Sequence, residues 1–437
     1  MAVKTIPNAA LEQAENLLNF IGRAPSAYQA TAEVAKIMSA KGFREYQLKD
    51  LTNLKRGDKG YYQKNGSAII AFVVGDEPLE NGFRIIGAHT DSPTLRIKPN
   101  AISVNESVVR LCTEVYGGGL LNSYFDRPLS LAGRCVLKSG DSFKPEVRLV
   151  DFQEPLLILP NLCIHMNREA NEGVKIERQK VLLPIVALSD ECEEDWLDKL
   201  LADELGCDLD SILDYDLYIY EYDKPCFVGR NKEFISAGRL DNLFSTFCCF
   251  NALAEVSDHV RPGIQIALAT DHEEVGSGSK QGAASAFIRD FLEALAYGLG
   301  ANRQEFLDLH DKSYMISADC AHAVHPNYAE YADPTHRPAI NGGPTIKVAA
   351  SQAYSTDAYS AAIFRELCAG AEVPCQLFVN RSDLRGGSTI GPITSRLVPV
   401  ATVDMGMPIW GMHSIRETGG TLDVYYFDKL CRHFYSA

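Results

Sequence analysis

The sequence predicts an α/β protein in which a mixed sheet is covered by helices and the one α/β domain is split around a mostly β insert. Three observations carry this expectation. From Ala237 onward, short apolar runs alternate with segments of helical period, and helices and buried strands of the same character precede residue 93. Between about Pro93 and Arg230, long helical patterning gives way to alternating segments such as VRLCTEV, RCVLK, EVRLV and YIYEY, interspersed with Gly and Pro. With 437 residues, the chain has room for two large folding units or about three ordinary ones.

Taken in order, Leu11, Ala14, Leu18 and Ile21 recur at helical spacing, as do Ala30, Val34, Ile37 and Met38 before Gly42, so the chain opens with two helices. AIIAFVV (68–74) and FRIIGA (83–88) are short, β-branched and bounded by Gly and Asp, as buried strands are. The insert carries an expected helix in the acidic run 190–205. After it the sequence predicts a helix at 242–256, a strand at 264–269, a helix at 283–299, a strand at 314–317, a helix at 358–369 and strands at 375–379 and 400–405. The expected division is therefore 1–92 plus 236–437 as a split α/β domain, with 93–235 inserted.

Composition narrows the function. Forty-two Lys plus Arg against 57 Asp plus Glu leave a net charge of −15, which repels phosphate backbones and anionic membranes, so nucleic acid is not an expected partner. No apolar run reaches the ~18 residues of a membrane span. The N-terminal stretch becomes amphipathic and acidic without the apolar core of a signal peptide, and a cytoplasmic location is expected. Twelve scattered cysteines with no CxxC read as reduced, mostly buried thiols.

In open α/β sheets, ligands gather beyond the carboxyl ends of strands. Polar residues fall there repeatedly: His89 and Asp91 after FRIIGA, Asp271 to Glu274 after IQIALAT, Asp319 after YMIS, and His413 shortly after TVDMG. Asp241 opens a helix in GRLDNLF. Singly, Asp241 reads as a helix cap, either histidine as a hydrogen-bonded loop residue, and Glu273 with Glu274 as a solvated pair. As a set, two histidines and several carboxylates at the ends of one sheet form a mixed N and O donor group suited to Zn²⁺ or a similar metal. A two-metal hydrolase needs a bridging carboxylate, further ligands for each ion and one uncommitted carboxylate to handle protons. Asp91 fits beside His89 as the partner of a metal-bound imidazole.

Two other chemistries find little support. The segment GSGSKQG (276–282) lacks Walker and GxGxxG spacing and follows acidic residues that oppose a pyrophosphate, so it reads as a turn delivering the next helix. No GxSxG is present, and no cysteine sits in an evident reactive setting.

GAHTDSPTLRIKP, RLDNLFSTF, DHEEVGSGSKQGA, SADCAHAVHPNY and GMHSIRE, in this order, closely resemble the signatures of the aspartyl aminopeptidase family of dinuclear zinc peptidases. NFIGRAPSAYQATAEV and LPNLCIHMNRE extend the resemblance over nearly the whole chain. The resemblance implies a zinc-peptidase-like fold and two Zn²⁺ per subunit, with Co²⁺ or Mn²⁺ as substitutes. It implies that His89 and Glu274 hold one ion and Asp319 and His413 the other, with Asp241 bridging, Glu273 as general base and Asp91 orienting His89. It implies peptide substrates with a free N-terminus and an acidic first residue, and substrate-binding roles for His165, His322, Lys347 and Tyr354. Spacing alone reads Lys347 as a solvated surface lysine.

The resemblance further implies a homo-oligomer, a tetrahedral dodecamer of dimers in which the insert dimerises and His165 reaches a neighbouring subunit's site. One departure stands out: Arg385 and Gly386, in Ser382-Asp383-Leu384-Arg385-Gly386-Gly387, occupy positions where relatives are expected to carry Pro-Cys or Gly-Cys. Arg385 either adds acidic preference or alters a turn. Other readings are an aminopeptidase of neutral preference, a dinuclear zinc deacylase or aminoacylase that needs no free amine, and a noncatalytic assembly protein with a structural metal. Retention of Glu273, which has no ligand duty in the expected site, argues against the last.

Overall fold

The computed structural model describes residues 5–189, 193–259 and 261–437. The chain forms two compact units, the first made of the chain up to Asp91, Pro225–Met412 and Glu417–Ala437, the second of Ser92–Lys224 and His413–Arg416. The strands Cys226–Val228 and Phe234–Ala237 group with the first unit.

Among the described residues, the first unit holds a nine-stranded sheet in the order Arg44–Glu45, Lys59–Lys64, Ala68–Val74, Ile264–Thr270, Phe83–His89, Tyr314–Ala318, Ala401–Gly406, Thr345–Val348 and Gln376–Val379. The four strands from Ile264–Thr270 to Ala401–Gly406 run parallel side by side. Ala68–Val74 and Thr345–Val348 flank them antiparallel, so the sheet is mixed. Every residue of AIIAFVV and IQIALAT is buried, because helices cover both faces and leave no side of these strands for water.

Strand alternation distributes that burial. Ile69, Ala71 and Val73 face one apolar core, which also takes Phe20, Phe244, Phe250, Phe364 and Phe427 from the helices Asn8–Gly22, Leu240–Val256, Ala358–Gly370 and Thr421–Ser436. Ile70, Phe72 and Val74 face the other, with Phe291, Phe306 and Ile390 from Phe287–Gly298, Arg303–Asp311 and Ile390–Leu397. Among the described residues, side-chain oxygens cap three helices: Ser26 accepts from Tyr28 N, Asn302 from Gln304 N and Glu305 N, and Asp357 from Ser360 N. Among the described residues, five short strands, including Phe234–Ala237, Glu417–Gly420 and Ala321–His322, make a second sheet.

The second unit is built on an antiparallel sheet of six strands among the described residues, in the order Glu146–Asp151, Leu129–Leu137, Ile212–Glu221, Thr94–Asn105, Val108–Tyr116 and Ile185–Leu188. Leu95, Leu131, Leu217 and Ile219 lie in its core with Leu197 and Leu201 of the helix Trp196–Leu205. That helix occupies the latter part of the acidic run 190–205, of which 190–192 lie outside the described residues. No helix among the described residues is long and apolar enough to cross a membrane.

Candidate metal centre

The carboxyl ends of three adjacent parallel strands position most of the site. His89 is the last residue of Phe83–His89, and Asp271 and Asp319 immediately follow Ile264–Thr270 and Tyr314–Ala318. The strand end is pinned by Thr90, whose hydroxyl donates to the Ser67 and Thr270 carbonyls, and by Thr246, which donates to the His89 carbonyl. A Cβ on Gly406 would overlap the Asp319 carbonyl, so glycine here lets the neighbouring strand approach closely.

Asp241 enters from the helix Leu240–Val256. The start of that helix is irregular: Asp241 and Asn242 have non-helical dihedrals and are joined by a cis peptide bond. The Asp241 N–H instead donates to Glu417 Oε2 at 2.9 Å, and Asn242 Nδ2 donates to the Ala318 carbonyl at 2.8 Å. These bonds aim the Asp241 carboxylate at the strand ends. Neither Glu417 nor Asn242 was singled out in the sequence, although Glu417 closes the GMHSIRE segment and Asn242 follows Asp241 directly.

His89 Nε2 lies 3.4 Å from Asp241 Oδ1 and 3.7 Å from Asp319 Oδ1, and its Nδ1 lies 3.1 Å from the Asp91 carbonyl and 3.4 Å from Asp91 Oδ1. Donor atoms of His89, Asp241 and Asp319 lie within 4.8 Å of one another, and so do those of His89, Glu273 and Glu274. His89 thus groups both with Asp241 and Asp319 and with Glu273 and Glu274. Geometry groups His89 with Asp319 because their strands are hydrogen-bonded neighbours.

The electrostatics report the crowding. Burial opposes a charged imidazole, yet Asp241, Asp319 and Asp91 hold the His89 pKa well above its ordinary value. Burial, together with Asp319, Asp91 and Asp241, pushes the Glu273 carboxyl up to about 8. Burial and Asp241 also drive Glu274 well upward. Asp271, buried and close to Asp91, is raised to about 6. One imidazole among several enclosed carboxylates is the donor set of a divalent N/O metal site, and a cation there offsets the mutual repulsion of the carboxylates. The residues present fit such an ion.

The glycine-rich stretch buttresses this arrangement. The helix after it begins at Phe287, and within the turn Gln281 Nε2 reaches Asp271 Oδ2 at 3.3 Å while Ser279 Oγ meets His272 Nδ1 at 2.7 Å. Lys347 is not a solvated lysine: only 3% exposed, its Nζ donates to the Cys320 carbonyl at 2.9 Å and sits 3.3 Å from Asp319 Oδ2. Burial opposes its charge, but Asp319 and Tyr354 raise its pKa overall, and the Tyr354 ring centroid is 5.4 Å from Nζ.

The first unit therefore brings together His89, Asp91, Asp241, Glu273, Glu274 and Asp319, with Lys347 and Tyr354 adjoining. His322 is exposed three residues beyond Asp319. His413 belongs to the short stretch that groups with the second unit, its Nδ1 3.1 Å from the Gly118 carbonyl. His165 is exposed on a loop of that unit.

Comparison with known proteins agrees with this chemistry. The family model described as aminopeptidase I zinc metalloprotease (M18) matches residues 20–435. A probable M18 family aminopeptidase 2 of Clostridium novyi is 47% identical over 427 residues, 97% of this chain and 98% of that protein. Its counterpart in Pseudomonas aeruginosa is 43% identical over 430 residues, again covering 97% and 98%. Among solved structures, the Ape4 chain from a complex with Nbr1 superposes with a TM-score of 0.95 at 33% identity, covering 99% of this chain and 88% of that one. Chaetomium thermophilum mApe1 gives 0.86 at 27% identity, covering 98% of each chain. A match spanning nearly the full length, joined to a buried cluster of metal-ligating side chains at the strand ends, establishes that the chain belongs to the M18 aminopeptidase family of zinc metalloproteases.

Proposed function

We propose that this zinc aminopeptidase removes Asp or Glu from the free N-terminus of peptides and works with two zinc ions per subunit. The observation that carries the reading is the convergence of His89, Asp241, Asp319, Glu273 and Glu274 on one pocket of buried charge. In this reading His89 and Asp319 would hold one ion and Glu274 and His413 the other, with Asp241 serving both. Cobalt and manganese suit the same donors. When bound, the ions supply Lewis-acid polarisation of the scissile carbonyl and make water acidic enough to ionise near neutral pH.

The chain's own residues do the remainder. Glu273 accepts a proton from the attacking water and passes it to the leaving amine. Asp91 fixes the ring of His89 through Nδ1 and presents Glu273 and Glu274 through their backbone N–H groups. Lys347, Tyr354 and His322 contribute to the substrate side of the site.

We also infer that the active form is an oligomer, a tetrahedral dodecamer of dimers, in which His165 reaches a neighbouring subunit's site. A structure of S. cerevisiae mApe1 is that of a dodecamer, and this chain shares its fold with a TM-score of 0.84 at 24% identity. Leu162, Ile164 and Met166, which flank His165, are 59%, 46% and 76% exposed, and such apolar surface suits an interface between subunits. The described cysteines are free thiols, in keeping with a cytoplasmic setting.

Hydrolysis of a free Asp-initiated peptide beside its N-acetylated form tests the assignment. Faster release from the free peptide supports an aminopeptidase; faster cleavage of the blocked one makes the protein a deacylase.

A further inference from the structure

A cavity of about 330 Å³ opens on the first unit, with His322, Phe378, Arg381 and Arg385 among the residues that line it. Contacts connect it to the metal-ligating cluster. The His322 ring packs against Phe378 at 5.8 Å between centroids, and Phe378 meets Tyr354 edge-on at 6.5 Å. Phe378 is also the cross-strand partner of Lys347, whose Nζ reaches Asp319.

The charges around this cavity are unequally committed. Lys347 is held by Asp319 and the Cys320 carbonyl. Arg381 is locked by two bonds to Asp383, of 2.8 and 3.1 Å, and by a further bond to the Glu330 carbonyl. Asp333, the carboxylate in the lining, accepts from Thr335 and His336. Arg385, exposed on the loop after Gln376–Val379, makes no hydrogen bond or ion pair among the described residues. Its neighbour Gly386 lies so close to the Asn380 amide that a Cβ would overlap it, and glycine lets the loop fold over Asn380 with Arg385 at the cavity wall.

We propose that Arg385 is a specificity-determining residue whose guanidinium receives the side-chain carboxylate of the substrate's N-terminal Asp or Glu; this rests on the aminopeptidase reading above. A guanidinium forms two parallel charge-assisted bonds with a carboxylate, and here no protein carboxylate competes for it. A basic first residue meets like charge in the same place, and an aliphatic one gains nothing from the guanidinium.

The test compares kcat/KM for peptides that begin with Asp, Glu, Leu and Lys in the wild type, Arg385→Ala and Arg385→Glu, with oligomer size and Tm measured alongside. Arg385→Ala lowers the Asp-to-Leu ratio by about tenfold or more, as loss of a charged hydrogen bond does, and Arg385→Glu moves preference toward Lys. A wild-type ratio retained in Arg385→Ala overturns the role of Arg385 and leaves acidic selectivity itself intact, making the loop difference one of turn geometry alone. A wild type that releases N-terminal residues with no preference for Asp or Glu overturns the acidic specificity and the Arg385 role together, while the aminopeptidase assignment stands. No release from any free peptide overturns the reading on which both rest.

Discussion

Asp91 accepts the backbone N–H groups of both Glu273 and Glu274, one on each carboxylate oxygen, at 3.1 Å each. The same side chain lies 3.4 Å from His89 Nδ1. One residue thus ties the end of strand Phe83–His89 to the turn after Ile264–Thr270, so His89, Glu273 and Glu274 keep a fixed relation. Asp91→Asn replaces one accepting oxygen with an amide that cannot accept. Metal affinity or kcat is expected to fall about tenfold to a hundredfold, checked by metal titration beside steady-state kinetics; wild-type values in both would remove Asp91 from this role.

Glu273→Gln keeps the shape of the side chain and removes its basicity. The variant is expected to retain bound metal and oligomer size while turnover drops by about 10² to 10⁴. Elemental analysis and size-exclusion chromatography establish the first two, and near-normal kcat would exclude Glu273 as the base.

These expectations rest on side chains whose convergence was largely legible in the sequence, because metal chemistry needs few residue types and the strands that carry them are apolar runs. The run 68–74 appears as the strand Ala68–Val74, and the run 83–88 continues one residue further to His89. Lys59–Lys64 was not expected: KGYYQK lies second from the sheet edge, lacks a continuous apolar stretch and takes its register from Ala68–Val74. Thr421–Ser436 was also missed, since polar and aromatic residues are interleaved around it and its buried face emerges only against its neighbours. Lys347 was misread by spacing because nothing local announces burial, and its charge is held by Asp319, 28 positions away in sequence. Which candidate donors lie nearest one another depends on which strands are adjacent, a long-range property that motif order does not encode.

His165→Ala should lower kcat with metal content and oligomer size unchanged, since the residue is exposed on its own chain and its proposed work is on a neighbour's substrate. Unchanged activity in the intact oligomer would refute the shared site.

Asp423 offers a test of stability away from the metal cluster. Its carboxylate accepts from Asn341 N at 2.6 Å and Gly343 N at 2.8 Å, and burial still pushes its pKa up to about 7. The folded state therefore binds an extra proton between the unfolded carboxyl value of about 4 and about 7, and the stability this contributes fades as pH rises through 7. Asp423→Asn does not titrate and loses one acceptor, which costs about 1–3 kcal/mol. Its deficit relative to wild type is expected to be larger at pH 5 than at pH 8 in denaturant melts; a deficit that does not change with pH would contradict the buried-acid account.

Zinc titration of the chelator-treated protein tests the central claim most directly, with release of the first residue from Asp- and Leu-initiated peptides followed at each addition. The account predicts that chelation abolishes hydrolysis, that activity returns and saturates at two zinc ions per chain, and that Asp is released faster than Leu. Full activity after chelation, or saturation at one ion, would contradict the dinuclear mechanism; recovery with Leu preferred would contradict the acidic specificity.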